Sequence, residues 1–121
     1  MLESSTGDFD PPLDLVHLAR QCLGDHELEA ELLQLFRQQA PALTARLSGP
    51  PLLSLDAKVK IAHALRGSAL AVGAGRVAGA AWRIEELASA GGDQGSAEAR
   101  AIDALLSAVA EALTEIDRIR G

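Results

Sequence analysis

The stretch Ala62-His63-Ala64-Leu65-Arg66-Gly67-Ser68-Ala69-Leu70-Ala71-Val72-Gly73, residues 62–73, has the period of a helix with one buried face. A helix turns by about 100° per residue, so its apolar side chains can be placed around the axis. Those that share one narrow stripe are Ala62, Leu65, Ala69 and Val72. Glycine commonly follows the last residue of a helix, which suits Gly73. The stretch therefore predicts a helix that packs on neighbours through small and branched side chains.

The same period recurs on both sides of this stretch. Helices are predicted over residues 13–23, 25–47, 54–73, 76–90 and 96–119. Asp25 and Ser96 are expected to cap the second and last of them. Pro41 is expected to bend the second helix or to break it, because proline lacks a backbone N–H group. Glycine and proline mark loops at residues 48–51 and 91–95, and Gly75 is assigned to a tight connection.

Composition also favours helices. The chain has 121 residues, is rich in Ala and Leu, and contains two Phe, one Trp and no Tyr. Ala and Leu are strong helix formers, whereas sheets favour aromatic and β-branched residues. The predicted fold class is all-α, an antiparallel up-and-down four-helix bundle with a short extra N-terminal helix. Residues 13–121 are expected to form this bundle domain, and residues 1–12 a flexible N-terminal tail.

Charge and hydropathy narrow the function classes. The net charge of −6 and the isoelectric point of about 4.9 disfavour nucleic acid and anionic membrane surfaces as partners. The sequence shows neither a run long enough to span a bilayer nor a secretory signal. Cys22, the single cysteine, lies in an apolar run and is predicted to be a core residue. We expect a cytoplasmic protein that is a monomer.

His63 is the candidate functional residue. It points about 140° away from the apolar stripe of its helix and is therefore predicted to face solvent. Imidazole, with an ordinary pKa of about 6.5, is a good nucleophile near neutral pH. Arg66 lies beside it and can pair with phosphate oxygens. Gly67, one turn on, leaves steric clearance, and Leu70 offers a docking partner an apolar contact. This pattern is typical of a histidine that carries a phosphoryl group.

The remaining histidines, the large aromatic side chains and Gly79 have ordinary structural interpretations. His17 and His26 are interpreted as solvated or capping residues, and the three histidines are too scattered for a zinc site, so no metal site is predicted. Phe36 is either a core residue or part of a partner-docking patch with Leu70. Trp82 is expected in the core or half-buried, and Gly79 is expected to allow close approach between helices.

The run His63-Ala64-Leu65-Arg66-Gly67-Ser68-Ala69, followed by Gly73-Ala74, resembles the signature of the histidine-containing phosphotransfer (HPt) domain family. The segments 13–25, 32–41 and 83–88 are also similar to that family, so the resemblance covers residues 12–120. The family more often has Lys where Arg66 stands. A polar side chain of the next helix often supports the histidine, and Glu85 and Glu86 lie in that region, without an assignment to either.

The resemblance implies a phosphocarrier of a multistep two-component phosphorelay. His63 would accept a phosphoryl group from a receiver-domain aspartyl phosphate and pass it to another receiver. The implied partners are receiver domains of response regulators or hybrid histidine kinases. The protein would not be an enzyme, because it would neither bind ATP nor phosphorylate itself, and no cofactor is implied.

Two alternatives remain open at this point. A helical-bundle adaptor would bind signalling partners without phosphotransfer. The phosphoacceptor module of a chemotaxis-type histidine kinase would also carry such a histidine, in which case this chain would be a fragment of a larger enzyme.

Overall fold

A computed structural model describes residues 11–49, 53–90 and 95–120. Within these ranges it contains five helices, α1 (Leu15–Gln21), α2 (His26–Ser48), α3 (Leu55–Val72), α4 (Gly75–Ala90) and α5 (Gly95–Arg120). The predicted all-α fold is confirmed. The predicted tail falls largely on residues 1–10 and the glycine-rich loop on residues 91–94, and both lie outside the described residues.

Local sequence signals determine most helix ends. The Asp25 carboxylate accepts hydrogen bonds from the backbone N–H groups of Glu27 and Leu28 at 3.0 and 3.1 Å. Ser54 caps α3 in the same way through the N–H group of Ala57. Such side chains satisfy amides that have no partner within the helix. The predicted cap at Asp25 is thus confirmed, whereas α5 already includes Gly95, one residue before the predicted cap at Ser96.

Helix α2 continues through Pro41 without a break, so that alternative was wrong. Proline removes the N–H group that would bind the Arg37 carbonyl, but Pro41 lies on the exposed side of α2, where water can satisfy that oxygen. Its neighbours Ala40 and Thr44 are buried against the bundle. Packing of this face therefore holds the helix together across the proline.

The four long helices form a ring in which each contacts the next, α2 with α3, α3 with α4, α4 with α5, and α5 with α2. Ion pairs join neighbouring helices of this ring. Arg37 on α2 binds Asp117 on α5 through two bonds of 2.7 and 2.9 Å. Arg76 on α4 lies 2.6 Å from Glu111 on α5. Arg76 lies at the start of α4 and Glu111 in the second half of α5, as an antiparallel arrangement of these two helices requires.

The core consists mainly of alanine and aliphatic side chains. Leu65, Ile84, Leu105 and Ile116 each have 0% of their surface exposed. Cys22 is buried as predicted, and this burial, with the charges of Glu29 and Asp25, raises the pKa of its thiol. Small alanines at the contacts allow the helix axes to approach closely.

Phe36 belongs to this core. Only 2% of its surface is exposed, so the prediction that it forms part of a docking patch was wrong. The physical reason lies in the rotation of α2. The neighbouring residue Leu35 is 47% exposed and takes the outward position, while Phe36 points into the bundle. Sequence periodicity alone did not separate these two adjacent apolar residues.

Helix α1 lies across the end of α3. The Asp14 N–H group donates to the Gly73 carbonyl at 2.8 Å, and His17 Nε2 lies 2.7 Å from the Leu70 carbonyl oxygen. Gly73 has a φ of +80°, and a Cβ atom there would lie 2.6 Å from the Asp14 carbonyl oxygen. Only glycine suits this site, because it combines a left-handed backbone with a close approach.

None of the helices in the described ranges is both long and apolar enough to cross a membrane.

Candidate functional site

Helix α3 presents His63 to solvent. Its side chain is 65% exposed, whereas Ala62 and Leu65 on the inner face have 0% of their surface exposed. The outward direction predicted from helical geometry is thus confirmed. The packing of the inner face determines the rotation of α3, and the rotation determines where the imidazole points.

A carboxylate from the neighbouring helix holds the imidazole. Glu85 on α4 places Oε1 3.3 Å from His63 Nδ1. The Glu85 side chain is mostly buried, with 16% exposed, while its partner histidine is mostly solvent-exposed. A largely buried carboxylate at this distance can accept a hydrogen bond from a protonated Nδ1 and orient the ring.

Arg66 completes a three-residue cluster with His63 and Glu85. Its Nε atom lies 3.2 Å from Glu85 Oε2, and its Nη2 atom lies 3.2 Å from His63 Nδ1. The Oε2 atom is buried and within ion-pair range of the guanidinium, but the two groups are not aligned for a hydrogen bond. Each charged group therefore offsets the desolvation of another.

The two contacts at Nδ1 require different imidazole tautomers. Nδ1 must carry a proton to donate to Glu85, and it must lack one to accept from Arg66. In the first case Nε2 has a free lone pair, and in the second Nε2 carries the proton. Glu85 and Arg66 thus compete over the nucleophilic nitrogen of His63, and Glu85 favours the form with nucleophilic Nε2.

The surface around His63 is open. A Cβ atom built on Gly67 would meet no heavy atom of the described residues within 4 Å, as its predicted clearance requires. Leu70, one turn beyond, is 53% exposed, which is compatible with the predicted docking contact. Leu35 on α2 adds a further exposed apolar side chain. The open surface around His63, Gly67 and Leu70 could therefore admit another protein close to the imidazole.

Glu85 is the functional candidate that the sequence did not single out. Glu85 and Glu86 are adjacent, and the choice between them depends on how α3 and α4 pack. The structure directs Glu85 toward His63, while Glu86 lies 3.8 Å from Arg83 on its own helix. The local sequence contains no signal for this choice. Among the residues in the described ranges, no three His, Cys, Asp or Glu side chains are grouped so that they could hold a metal ion.

The fold and this surface define a class, a helical bundle that displays one histidine braced by a carboxylate on its neighbouring helix. A sequence model of the Hpt domain family matches residues 31–118. The chain therefore belongs to the Hpt domain family. Members of this family are phosphocarriers of two-component systems; they interact with receiver domains and have no kinase activity of their own. Helix α1 precedes the matched residues. Comparisons with curated proteins and with solved structures gave no match.

Proposed function

We propose that His63 is the phosphoacceptor, and that the chain relays phosphoryl groups between receiver domains of response regulators or hybrid histidine kinases. The observation that supports this most directly is the contact between Glu85 Oε1 and Nδ1 of an imidazole that is 65% exposed. Because the carboxylate engages Nδ1, Nε2 is the nitrogen that can form a bond to phosphorus. No other histidine of the described residues has a carboxylate from a neighbouring helix on its ring.

The transfer step follows from this arrangement. The Nε2 lone pair attacks the phosphorus of an aspartyl phosphate on the receiver, the P–O bond breaks, and its electron pair remains on the receiver's carboxylate. The imidazole keeps its Nδ1 proton and becomes cationic when the N–P bond forms. Glu85 stabilises that positive charge, which develops only as the reaction proceeds. The reverse reaction passes the group to a second receiver.

Arg66 is proposed to serve the phosphoryl group. Its guanidinium already lies next to the ring, with 31% of the side chain exposed. Charge-assisted bonds to phosphate oxygens are stronger than a contact with a neutral imidazole nitrogen. We therefore expect Arg66 to leave Nδ1 and bind the incoming phosphoryl oxygens. This exchange would also remove the competition at Nδ1.

The test is transfer of label from a phosphorylated receiver domain to the purified chain. The wild type is expected to take up label in an acid-labile, base-stable form, as a phosphoramidate does. The His63→Gln variant should take up none. His26→Gln is a matched control, since that side chain is 92% exposed and lies away from the site, and it should be labelled normally.

Three results would contradict the proposal. Label on the His63→Gln protein would place the acceptor elsewhere, and acid-stable label that disappears in Ser68→Ala would identify a phosphoserine. A wild-type chain that binds receivers but never takes up label would instead behave as the adaptor described above.

A further inference from the structure

A second exposed feature lies on the outer face of α4. Trp82, expected in the core or half-buried, has 49% of its surface exposed and does not belong to the core. Helical geometry puts Gly75, Gly79, Trp82 and Glu86 within a strip of about 60° on this helix. We call this strip the α4 outer face. Tryptophan anchors many protein interfaces because it buries a large apolar area with few rotatable bonds.

Contacts among the described residues do not explain why a glycine stands at position 79. A Cβ atom added there would contact no heavy atom of the described residues within 4 Å, so the predicted close approach to another helix of the bundle is absent from this part of the chain. Its backbone is ordinary helix, and glycine destabilises a helix interior relative to alanine. The flat surface that it leaves lies one turn before an exposed tryptophan. Trp82 projects from this face, and Gly79 leaves a depression beside it.

We propose that the α4 outer face binds a second copy of this chain, with the two α4 helices antiparallel. Trp82 of each copy would then cover the partner's Gly79. Both residues lie at equal distances from the midpoint between Ala80 and Ala81, so the two contacts form together by symmetry.

Charge complementarity supports a second copy as the occupant. The same antiparallel alignment places Glu86, which is 42% exposed, opposite Gly75 at the start of the partner's α4. The first turn of α4 contains no acidic residue, and the Arg76 side chain there is already paired with Glu111 on α5, so the amides of the helix start supply the positive charge. A carboxylate is stabilised at a helix N-terminus, whose amides carry partial positive charge. A parallel pairing would lose this contact.

The pairing would leave the phosphotransfer site free. Glu85 lies about 90° around α4 from the α4 outer face, on the side that packs against α3. Pairing through the α4 outer face therefore does not depend on the proposed function of His63. One face of one helix is smaller than the interface of a stable dimer. We expect a weak dimer that forms as the protein concentration rises.

The test is sedimentation of the full chain over a concentration series, with fluorescence of Trp82, the chain's single tryptophan, as a second readout. The wild type should shift from monomer to dimer while its emission moves to shorter wavelength. Gly79→Leu should remain monomeric at the same concentrations, with unchanged helical circular dichroism, because the added side chain projects into open space. Glu86→Arg should weaken association at least tenfold, and high salt should weaken the wild type. Ala104→Leu, an exposed alanine on α5, is the matched control and should dimerise normally.

Three results would overturn the proposal. The wild type could remain monomeric at every concentration, or it could dimerise equally well with Gly79→Leu and Trp82→Ala. Alternatively, Trp82→Ala could weaken receiver binding and leave sedimentation unchanged, which would assign the face to a receiver domain. Phosphotransfer by Gly79→Leu should equal that of the wild type, so failure of this proposal is distinguishable from failure of the proposed function.

Discussion

Replacing Glu85 should slow phosphotransfer by changing the imidazole tautomer rather than by removing the nucleophile. In Glu85→Ala the acceptor 3.3 Å from Nδ1 disappears, and Arg66 Nη2, at 3.2 Å, becomes the polar contact of that nitrogen. The ring then favours the form with the proton on Nε2, which cannot attack phosphorus. The expected change is a slower reaction with a histidine that is still exposed.

The magnitude follows from the hydrogen bond that is lost. A bond to a charged group contributes about 1.5–3 kcal/mol when buried, and solvent at the exposed His63 reduces this toward the lower end. A loss of about 1.4 kcal/mol corresponds to a rate roughly tenfold slower. Glu85→Gln keeps an acceptor but loses the negative charge that stabilises the cationic product, so we expect a smaller loss of about threefold.

The assay combines the rate of label transfer from a phosphorylated receiver with ¹⁵N NMR shifts of the two ring nitrogens. The spectra should show proton on Nδ1 in the wild type and a larger Nε2–H population in Glu85→Ala. Adding Arg66→Met to Glu85→Ala removes the competing donor and should return the tautomers toward the ratio of free imidazole. Glu86→Ala is the control, because that carboxylate pairs with Arg83 and not with His63. A wild-type spectrum with the proton on Nε2, or an undiminished rate in Glu85→Ala, would refute this reasoning.

Three further predictions concern stability as well as function. Gly67→Ala should raise the free energy of unfolding by up to about 1 kcal/mol, since a methyl group there meets open space. The same variant should transfer phosphoryl groups to and from a bulky receiver more slowly. A faster or unchanged transfer rate would contradict the proposed role of Gly67 in steric clearance. Leu105→Ala should destabilise by about 2–5 kcal/mol in urea unfolding, whereas Leu106→Ala, at a position that is 42% exposed, should cost about 1 kcal/mol or less; equal losses would mean that the rotation of α5 is wrong. Gly73→Ala should destabilise the fold by about 2 kcal/mol or more, because position 73 has a left-handed backbone and lies against the backbone of Asp14. Gly75→Ala should be close to neutral, and thermal unfolding of both variants measures the difference.

Much of the fold could be predicted because its signals are local. Asp25 and Ser54 stand at helix starts where their side chains reach nearby amides, and Gly73 ends α3 in a left-handed conformation. These interactions lie within a few residues of one another along the chain. The same holds for the outward direction of His63, which depends only on the apolar stripe of its own helix.

The features that the sequence did not predict depend on contacts between residues that are distant along the chain. Pro41 does not break α2, because packing of the neighbouring buried side chains outweighs one missing backbone bond. Phe36 and Leu35 are adjacent apolar residues, and the rotation of α2 within the bundle decides which of them is buried. Glu85 lies 22 residues after His63 in the sequence. It becomes part of the site only because of the register in which α4 packs against α3. The apolar period of one helix does not predict how that helix is aligned with its neighbour.

Three glycines of this chain separate what the fold requires from what it leaves unexplained. Gly73 is required internally, by its positive φ and by the Asp14 backbone 2.6 Å from where a Cβ atom would lie. Gly67 and Gly79 are mid-helix positions where a methyl group would meet open space and where alanine would make a more stable helix. Packing among the described residues therefore does not account for either glycine. Both are explained if another protein surface approaches closely, at α3 beside His63 in one case and at α4 beside Trp82 in the other. Helix α4 takes part in both, because Glu85 on one side supports the histidine while Trp82 on another is left for a partner.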